Sequence, residues 1–316
     1  GPFCAPILFQ NPGYAIMANT DIVTIDLNFQ DKTQAIASYL IRHSSGAVLI
    51  ESGPGSTLPA LEAALAKEGL TPRDVTHVLL THIHLDHAGA AGWLSRKGAE
   101  IWVHPNGAPH LLNPEKLIAS ATRIYGDRMD QLWGEFLPVS PDKLKVPQDA
   151  EEIVIGNLRF VALNTPGHAE HHYAYLFEDV CFSGDVGGVR IPGYAYLRAP
   201  MPPPELHFGR WRESLARLQS IGFSRIAPTH FGMFEDVAWQ LRELDNSLAA
   251  TEKWLEAVMM NDPTIEELRE QFSFWMYEEG RIKNLSDDVV RAYSLANPVA
   301  MSADGLMRYW KKVRTA

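Results

Sequence analysis

The chain has 316 residues, 46% apolar and 21% charged, enough to bury one large core or one core plus a subdomain. Its formal net charge of −10 argues against a nucleic-acid backbone as main partner, since that binding needs clustered Lys and Arg. Cys4 and Cys181 give no disulfide framework, no apolar run reaches the ~18 residues of a membrane span, and no basic-then-apolar leader opens the chain, so a cytoplasmic protein without a membrane partner is expected.

Residues 15–27, 35–41 and 47–50 read as successive strands separated by polar turns such as 43–46. Residues 58–68 carry Leu58, Leu61 and Leu65 at helical spacing and stop at Gly69. An apolar strand over 75–80 leads into a polar loop, and a helix is expected over 88–97. His104 ends a strand at 101–103 and is expected to cap the next helix. Residues 105–147 are less regular, with helical pieces between Pro105 and Pro114 and over 114–125, and an apolar aromatic stretch at 129–136. This segment reads either as an insertion over an active-site mouth or as a surface helical excursion with its own small cluster.

Residues 151–184 return to strands, with a turn at Gly156-Asn157. A loop rich in proline and glycine follows over 186–204, then a helix over 205–220 with Trp211, Leu215 and Leu218 on one side, and a strand over 225–227. After Gly232 the strand signal disappears. Helices are expected over 234–260, over 265–279 behind a Thr264–Glu267 start and ending at Gly280, and over 286–295 and 301–313. The apolar stripe 272–277 reads as core first, with an acyl-pocket wall or a dimer face as alternatives.

The most informative stretch is 81–89, Thr-His-Ile-His-Leu-Asp-His-Ala-Gly. His82, His84, Asp86 and His87 fall within six positions of a chain with 12 histidines. Neutral imidazole and carboxylate suit zinc, iron and manganese, and the spacing suits a loop turned around two neighbouring ions. The string resembles the His-x-His-x-Asp-His signature of the metallo-β-lactamase superfamily. Thr165-Pro166-Gly167-His168, Phe182-Ser183-Gly184-Asp185 and Pro228-Thr229-His230-Phe231-Gly232 each follow an apolar strand, in that superfamily's order.

The resemblance implies an α/β fold, an αββα sandwich over 1–232, with an all-helical C-terminal extension over 233–316 that covers the active site or forms a homodimer face. It implies two divalent metal ions, zinc foremost, with iron or manganese compatible. His82, His84 and His168 would hold the first, Asp86, His87 and His230 the second, and Asp185 would bridge them. Such a pair lowers the pKa of a shared water toward neutrality, and Asp86 would also accept its proton. The pattern is closer to glyoxalase II-like hydrolases than to the true β-lactamases, and it implies cleavage of an ester, thioester or lactone in a small-molecule substrate. Two other readings stay open: a mononuclear iron enzyme like the persulfide dioxygenases, and a metal-bearing sensor or accessory protein without turnover.

In many relatives the turn after the third strand reads Asp-x-Gly. Here the acid is Glu51, one carbon longer, which weakens the expectation of a fine supporting role for it. His171 and His172 are neighbours, and neighbours on a strand point to opposite faces. His171 is expected beside the ligands or the substrate, and His172 at the surface. His43, His77, His110 and His207 are expected at the surface or locally satisfied. Arg190, Tyr194 and Tyr196, on the loop leaving Asp185, are expected to contact substrate, the alternative being a connector whose tyrosines merely pack.

Overall fold

The structure is a computed structural model and describes residues 20–315. Strands β1 (Ile22–Asp26), β2 (Ala37–His43), β3 (Gly46–Ile50), β4 (Val75–Leu79), β5 (Glu100–Trp102) and β6 (Leu144–Lys145) form one sheet in that order. β1 to β3 are antiparallel, and β3 to β6 run parallel. A second sheet holds β7 (Glu152–Ile155), β8 (Leu158–Asn164), β9 (Tyr173–Phe177), β10 (Val180–Phe182) and β11 (Arg225–Ala227), antiparallel except for the β10–β11 pair.

The two sheets pack face to face, and alternation along each strand explains why. Val48 and Ile50 of β3 meet Phe160 and Ala162 of β8 and Tyr175 of β9 between the sheets. Ala47 and Leu49 point the other way, into a cluster with Leu61, Leu65 and Leu94 from the helices. Strands buried on both faces read as continuous apolar runs, which is what 47–50 shows.

Helices α1 (Leu58–Lys67), α2 (Leu85–Ala88), α3 (Ala91–Arg96), α4 (Ala108–Leu112), α5 (Glu115–Tyr125) and α6 (Met129–Trp133) belong to the first half. Helices α7 (Phe208–Ile221), α8 (Val237–Met259), α9 (Ile265–Ile282), α10 (Asp287–Ala296) and α11 (Val299–Arg308) belong to the second. Leu241, Leu244 and Leu248 of α8 and Leu306 of α11 share one apolar cluster with Trp211 and Leu215 of α7. The helices after 232 therefore extend the core of the second sheet's outer face. The layers are those of an αββα sandwich.

Several boundaries differ from the sequence reading. The first strand begins at Ile22, and residues 15–19 of its expected span lie outside the described residues. The helix expected over 88–97 is two pieces, α2 and α3, with Gly89 and Ala90 between them. Gly280 does not end α9, which runs on to Ile282; Gly280 is buried, and a Cβ there would sit 3.1 Å from Val290. The 272–277 stripe divides: Phe272 is 3% exposed and Phe274 67%, because consecutive helical residues cannot share one face. No helix among the described residues is long and apolar enough to cross a membrane.

Candidate metal centre

β8, β10 and β11 run in one direction in the second sheet, and β3 and β4 in one direction in the first. Turns at the C-terminal ends of β4, β8, β10 and β11 carry the histidines and aspartates singled out in the sequence. The turn after β4 closes into α2, where the amides of His87 and Ala88 both donate to His84 O. That single helical turn sets Asp86 and His87 in place. Gly184 needs its lack of a side chain, with φ +53° and a site where a Cβ would lie 2.6 Å from His172 Nε2. It lets β10 pass directly under Thr81 before Asp185.

The side chains converge. His82 Nε2 and His168 Nε2 each lie 3.1 Å from His84 Nδ1. Asp86 Oδ2 lies 3.3 Å from His87 Nε2 and 3.1 Å from His230 Nε2. Asp185 stands between the groups, with Oδ2 3.2 Å from His168 Nε2 and Oδ1 3.2 Å from His87 Nε2 and 3.4 Å from His230 Nε2. All seven residues expected as ligands are brought together.

The backs of the rings explain the orientation. His168 Nδ1 donates to Pro200 O and His230 Nδ1 to Ala35 O, at 2.8 and 2.7 Å. His82 Nδ1 bonds Thr81 Oγ1 at 2.9 Å, and His87 Nδ1 bonds Glu51. With Nδ1 spent on these partners, each Nε2 turns inward. Ring nitrogens and carboxylate oxygens then converge on one small buried space. His87 Nε2 and Asp185 Oδ1 are buried without any hydrogen-bond partner among the described residues. Bound cations would take the place of the protons held there, and imidazole with carboxylate is a donor set for zinc, iron or manganese. The residues present fit a metal centre.

Protonation divides the cluster in two. Burial, helped by the neighbouring rings, holds His82 well below the ordinary histidine value, and burial pushes His84 down to about 3. Burial also lowers His168 despite Asp185. Burial would lower His87 and His230 too, but Asp185 and Asp86 raise both above the ordinary value. Conversely, His87 and His230 keep Asp86 and Asp185 below the ordinary carboxylate value against the opposing effect of burial. The first trio is thus neutral and ready to bind, and the second is an ion-pair network whose protons a cation would displace.

Glu51, at the end of β3, is fully buried with φ +70°. Its carboxylate accepts from Thr81 N at 2.7 Å, Thr81 Oγ1 at 3.1 Å, Thr229 Oγ1 at 3.0 Å and His87 Nδ1. It therefore holds His87 directly, His82 through Thr81, and the residue before His230. The longer acid does not weaken this role: it reaches two of the turns, the one after β4 and the one after β11. Glu51, His82 and His87 also form a close trio, but Glu51 meets the rings from behind, so the trio is their support.

The remaining assignments fare unevenly. His171 lines the cavity beside His84, their ring centroids 5.4 Å apart, with Nε2 3.4 Å from Glu205. His172 is not at the surface but fully buried, its Nδ1 2.8 Å from Thr165 Oγ1; it lies just before β9 and packs on the His82 ring, with centroids 5.0 Å apart. His110, expected at the surface or locally satisfied, lines the cavity. His104 Nδ1 accepts from Asn106 N just ahead of α4, and its Nε2 bonds Asn164. His43, His77 and His207 have local partners.

Arg190, Tyr194 and Tyr196, expected to contact substrate, are not among the residues that line the cavity. Arg190 pairs with Asp236 and Gln240 and lies between the Phe234 and Trp239 rings. Tyr196 packs on Tyr293 and accepts from Arg198 Nε at 3.0 Å. Tyr194 is 39% exposed and faces solvent. The loop turns Arg190 toward α8 and Tyr196 toward α10. Its later part, Pro200 to Pro204, is what borders the cavity. Residues 115–133 border it as well, through α5 and α6, which places that excursion at the mouth.

Comparison with known proteins agrees with this architecture. The family model of the metallo-beta-lactamase superfamily matches residues 32–230, and the chain belongs to that superfamily. It is 31% identical over 145 residues to a metallo-beta-lactamase fold-containing protein of Sulfurisphaera tokodaii, covering 45% of this chain and 54% of that one. It is 29% identical over 152 residues to the hydroxyacylglutathione hydrolase of Xanthomonas campestris pv. campestris, covering 46% of this chain and 44% of the relative. The chain thus spans about half the length of the curated relatives it matches. A metallo-beta-lactamase family protein from Thermus thermophilus superposes with a TM-score of 0.67 over 94% of this chain and 95% of its own, at 22% identity. That likeness concerns the fold, and its coverage takes in the C-terminal helices.

Proposed function

We propose that the protein is a binuclear metal-dependent hydrolase that cleaves an ester, thioester or lactone. One observation carries the reading: two complete donor trios stand side by side, with a single carboxylate, Asp185, reaching both. A one-iron oxygenase would leave Asp86, His87 and His230 without a task, yet they converge as closely as the first trio. The relative named as a hydroxyacylglutathione hydrolase supports hydrolysis at an acyl bond. Zinc is the proposed metal, and the same donors accept iron or manganese.

Bound divalent ions would supply an acidified water and polarise the substrate carbonyl. The chain's own groups do the rest. His82, His84 and His168 would hold one ion, and Asp86, His87 and His230 the other. Asp86 is the carboxylate open to the cavity, its side chain 20% exposed against 5% for Asp185. It is therefore the group placed to take the proton of the attacking water. His171, kept neutral by burial and accepting from Ile83 N through Nδ1, offers its Nε2–H along the cavity wall toward Glu205.

The test is a panel of carboxylic esters, lactones and thioesters, a hydroxyacylglutathione among them, with a phosphodiester as control. Metal-loaded protein is expected to turn over members of the first three classes. His84→Ala and Asp185→Asn are each expected to abolish turnover and lower metal content. Activity confined to the phosphodiester, or full turnover in either variant, would overturn the reading. Oxygen uptake by protein holding one equivalent of iron would favour the oxygenase.

A further inference from the structure

The cavity in front of the donor cluster has a volume of about 510 Å³. One end is formed by His84, Asp86, Asp185 and His230. Away from that end its walls change character. α5 and α6 present Leu117, Ala121, Tyr125 and Trp133, and the junction of α10 and α11 presents Leu295 and Met301. Tyr125 Oη reaches Met301 Sδ at 3.7 Å, so the two walls meet. A thioether is a weak acceptor, and the phenol stays mainly an apolar surface, stacked edge-on against Trp133 at 5.2 Å. The cationic groups of this half, Lys116 and Arg128, belong to exposed residues at the rim.

Ser120, Ser294, Asn297 and Ser302 also line this half, with Ser302 Oγ and Asn297 Oδ1 already bonded to each other at 3.1 Å, so a polar occupant finds few partners for the water it loses. The wall favours an apolar one in proportion to the surface covered. The volume bounds the size: at ~30 Å³ per water-sized group the whole cavity, reacting end included, holds roughly 17 such groups. We infer that the substrate carries a compact apolar body, aliphatic or aromatic, beside the scissile carbonyl and smaller than those ~17 groups. It lodges between α5 and the α10–α11 junction. The inference rests on the hydrolase reading above and specifies the substrate class of that site.

The experiment uses metal-loaded protein and p-nitrophenyl esters of straight-chain acids from acetate to dodecanoate. From butanoate to octanoate, kcat/KM is expected to rise by about fourfold per methylene, then to fall once the chain outgrows the cavity. Ala121→Phe fills the space beside α5. It should lower the octanoate-to-acetate ratio of kcat/KM by about sixteenfold, the equivalent of two methylenes. Ile124 lines the cavity and is 52% exposed, so Ile124→Asp tests the same wall without threatening the fold. It should penalise long chains only. Calorimetric binding of the free acids gives a readout independent of turnover, with octanoate expected to bind more tightly than acetate. Chain-length independence in both assays, or indifference to both variants at unchanged metal content, would overturn the inference. Failure to hydrolyse any ester, thioester or lactone, with octanoate still preferred in binding, would overturn the hydrolase reading and leave the apolar subsite standing.

Discussion

Replacing Glu51 by Gln removes one negative charge from behind the ligands and keeps the side chain's size. The wild-type carboxylate accepts from Thr81 N, Thr81 Oγ1, Thr229 Oγ1 and His87 Nδ1. An amide has only one oxygen. If that oxygen faces His87 and the threonine hydroxyls, the NH2 opposes Thr81 N–H; if it is turned around, the NH2 opposes His87 Nδ1–H. Either way at least one buried donor loses its acceptor, at a cost of about 1–3 kcal/mol. His87 also loses the carboxylate that fixes its tautomer and raises its basicity, an effect worth typically 10–100-fold in metal affinity. Competition against a chromogenic chelator should show affinity at the Asp86–His87–His230 trio falling by about that factor, and urea unfolding should report the stability loss. The His82–His84–His168 trio, reached only through Thr81, should change less. A folded Glu51→Gln variant with wild-type affinity at both steps would refute the claim that this buried acid supports the centre.

Other expectations are open to measurement. At pH 6, metal binding to the metal-free protein should release about two protons, because Asp185 and Asp86 raise His87 and His230 above 6.5 against burial while His82, His84 and His168 lie below it. Release should fade as pH rises past the two raised values, and calorimetry in buffers of different ionisation enthalpy counts it; no release at pH 6 would contradict the charge pattern. Gly305→Ala should destabilise the protein and raise KM at unchanged metal content, since a Cβ would lie 1.8 Å from Met201 O and push α11 off the proline run. The ordinary helical Gly→Ala change stabilises by about 1 kcal/mol, so the sign alone decides. Arg190→Met should leave KM within about twofold and cost about 1–3 kcal/mol, chiefly by stranding buried Gln240, because its Asp236 partner is half exposed and the ion pair there is worth little. A raised KM with normal stability would restore the substrate-contact role.

The converging histidines and aspartates were legible because the chemistry of a donor set leaves a short-range trace. The 82–87 string sits at a strand end, and the three later turns repeat the arrangement of apolar strand followed by ligand. The layer order was legible from alternation and from continuous apolar runs such as 47–50. What escaped depends on partners distant in the chain. Arg190 was read by its closeness to Asp185 in sequence, but its destination is set by Asp236 and Gln240, 46 and 50 positions later. His172 lies just before β9, outside the strand, so the rule that strand neighbours face apart does not decide its side; Gly184 and the His82 ring close over it. Glu51 was judged by its departure from a shorter acid, whereas its task follows from Thr81, His87 and Thr229 meeting around it. The cavity's apolar wall joins α5 to a helix junction about 170 residues away, and no local pattern announces that contact.

Metal stoichiometry bears on the central claim most directly. Reconstituted protein, dialysed against zinc and measured by elemental analysis alongside His230→Ala, is expected to hold two ions per chain, and the variant one. A single ion in the wild type, or two retained without His230, would contradict the twin-site arrangement.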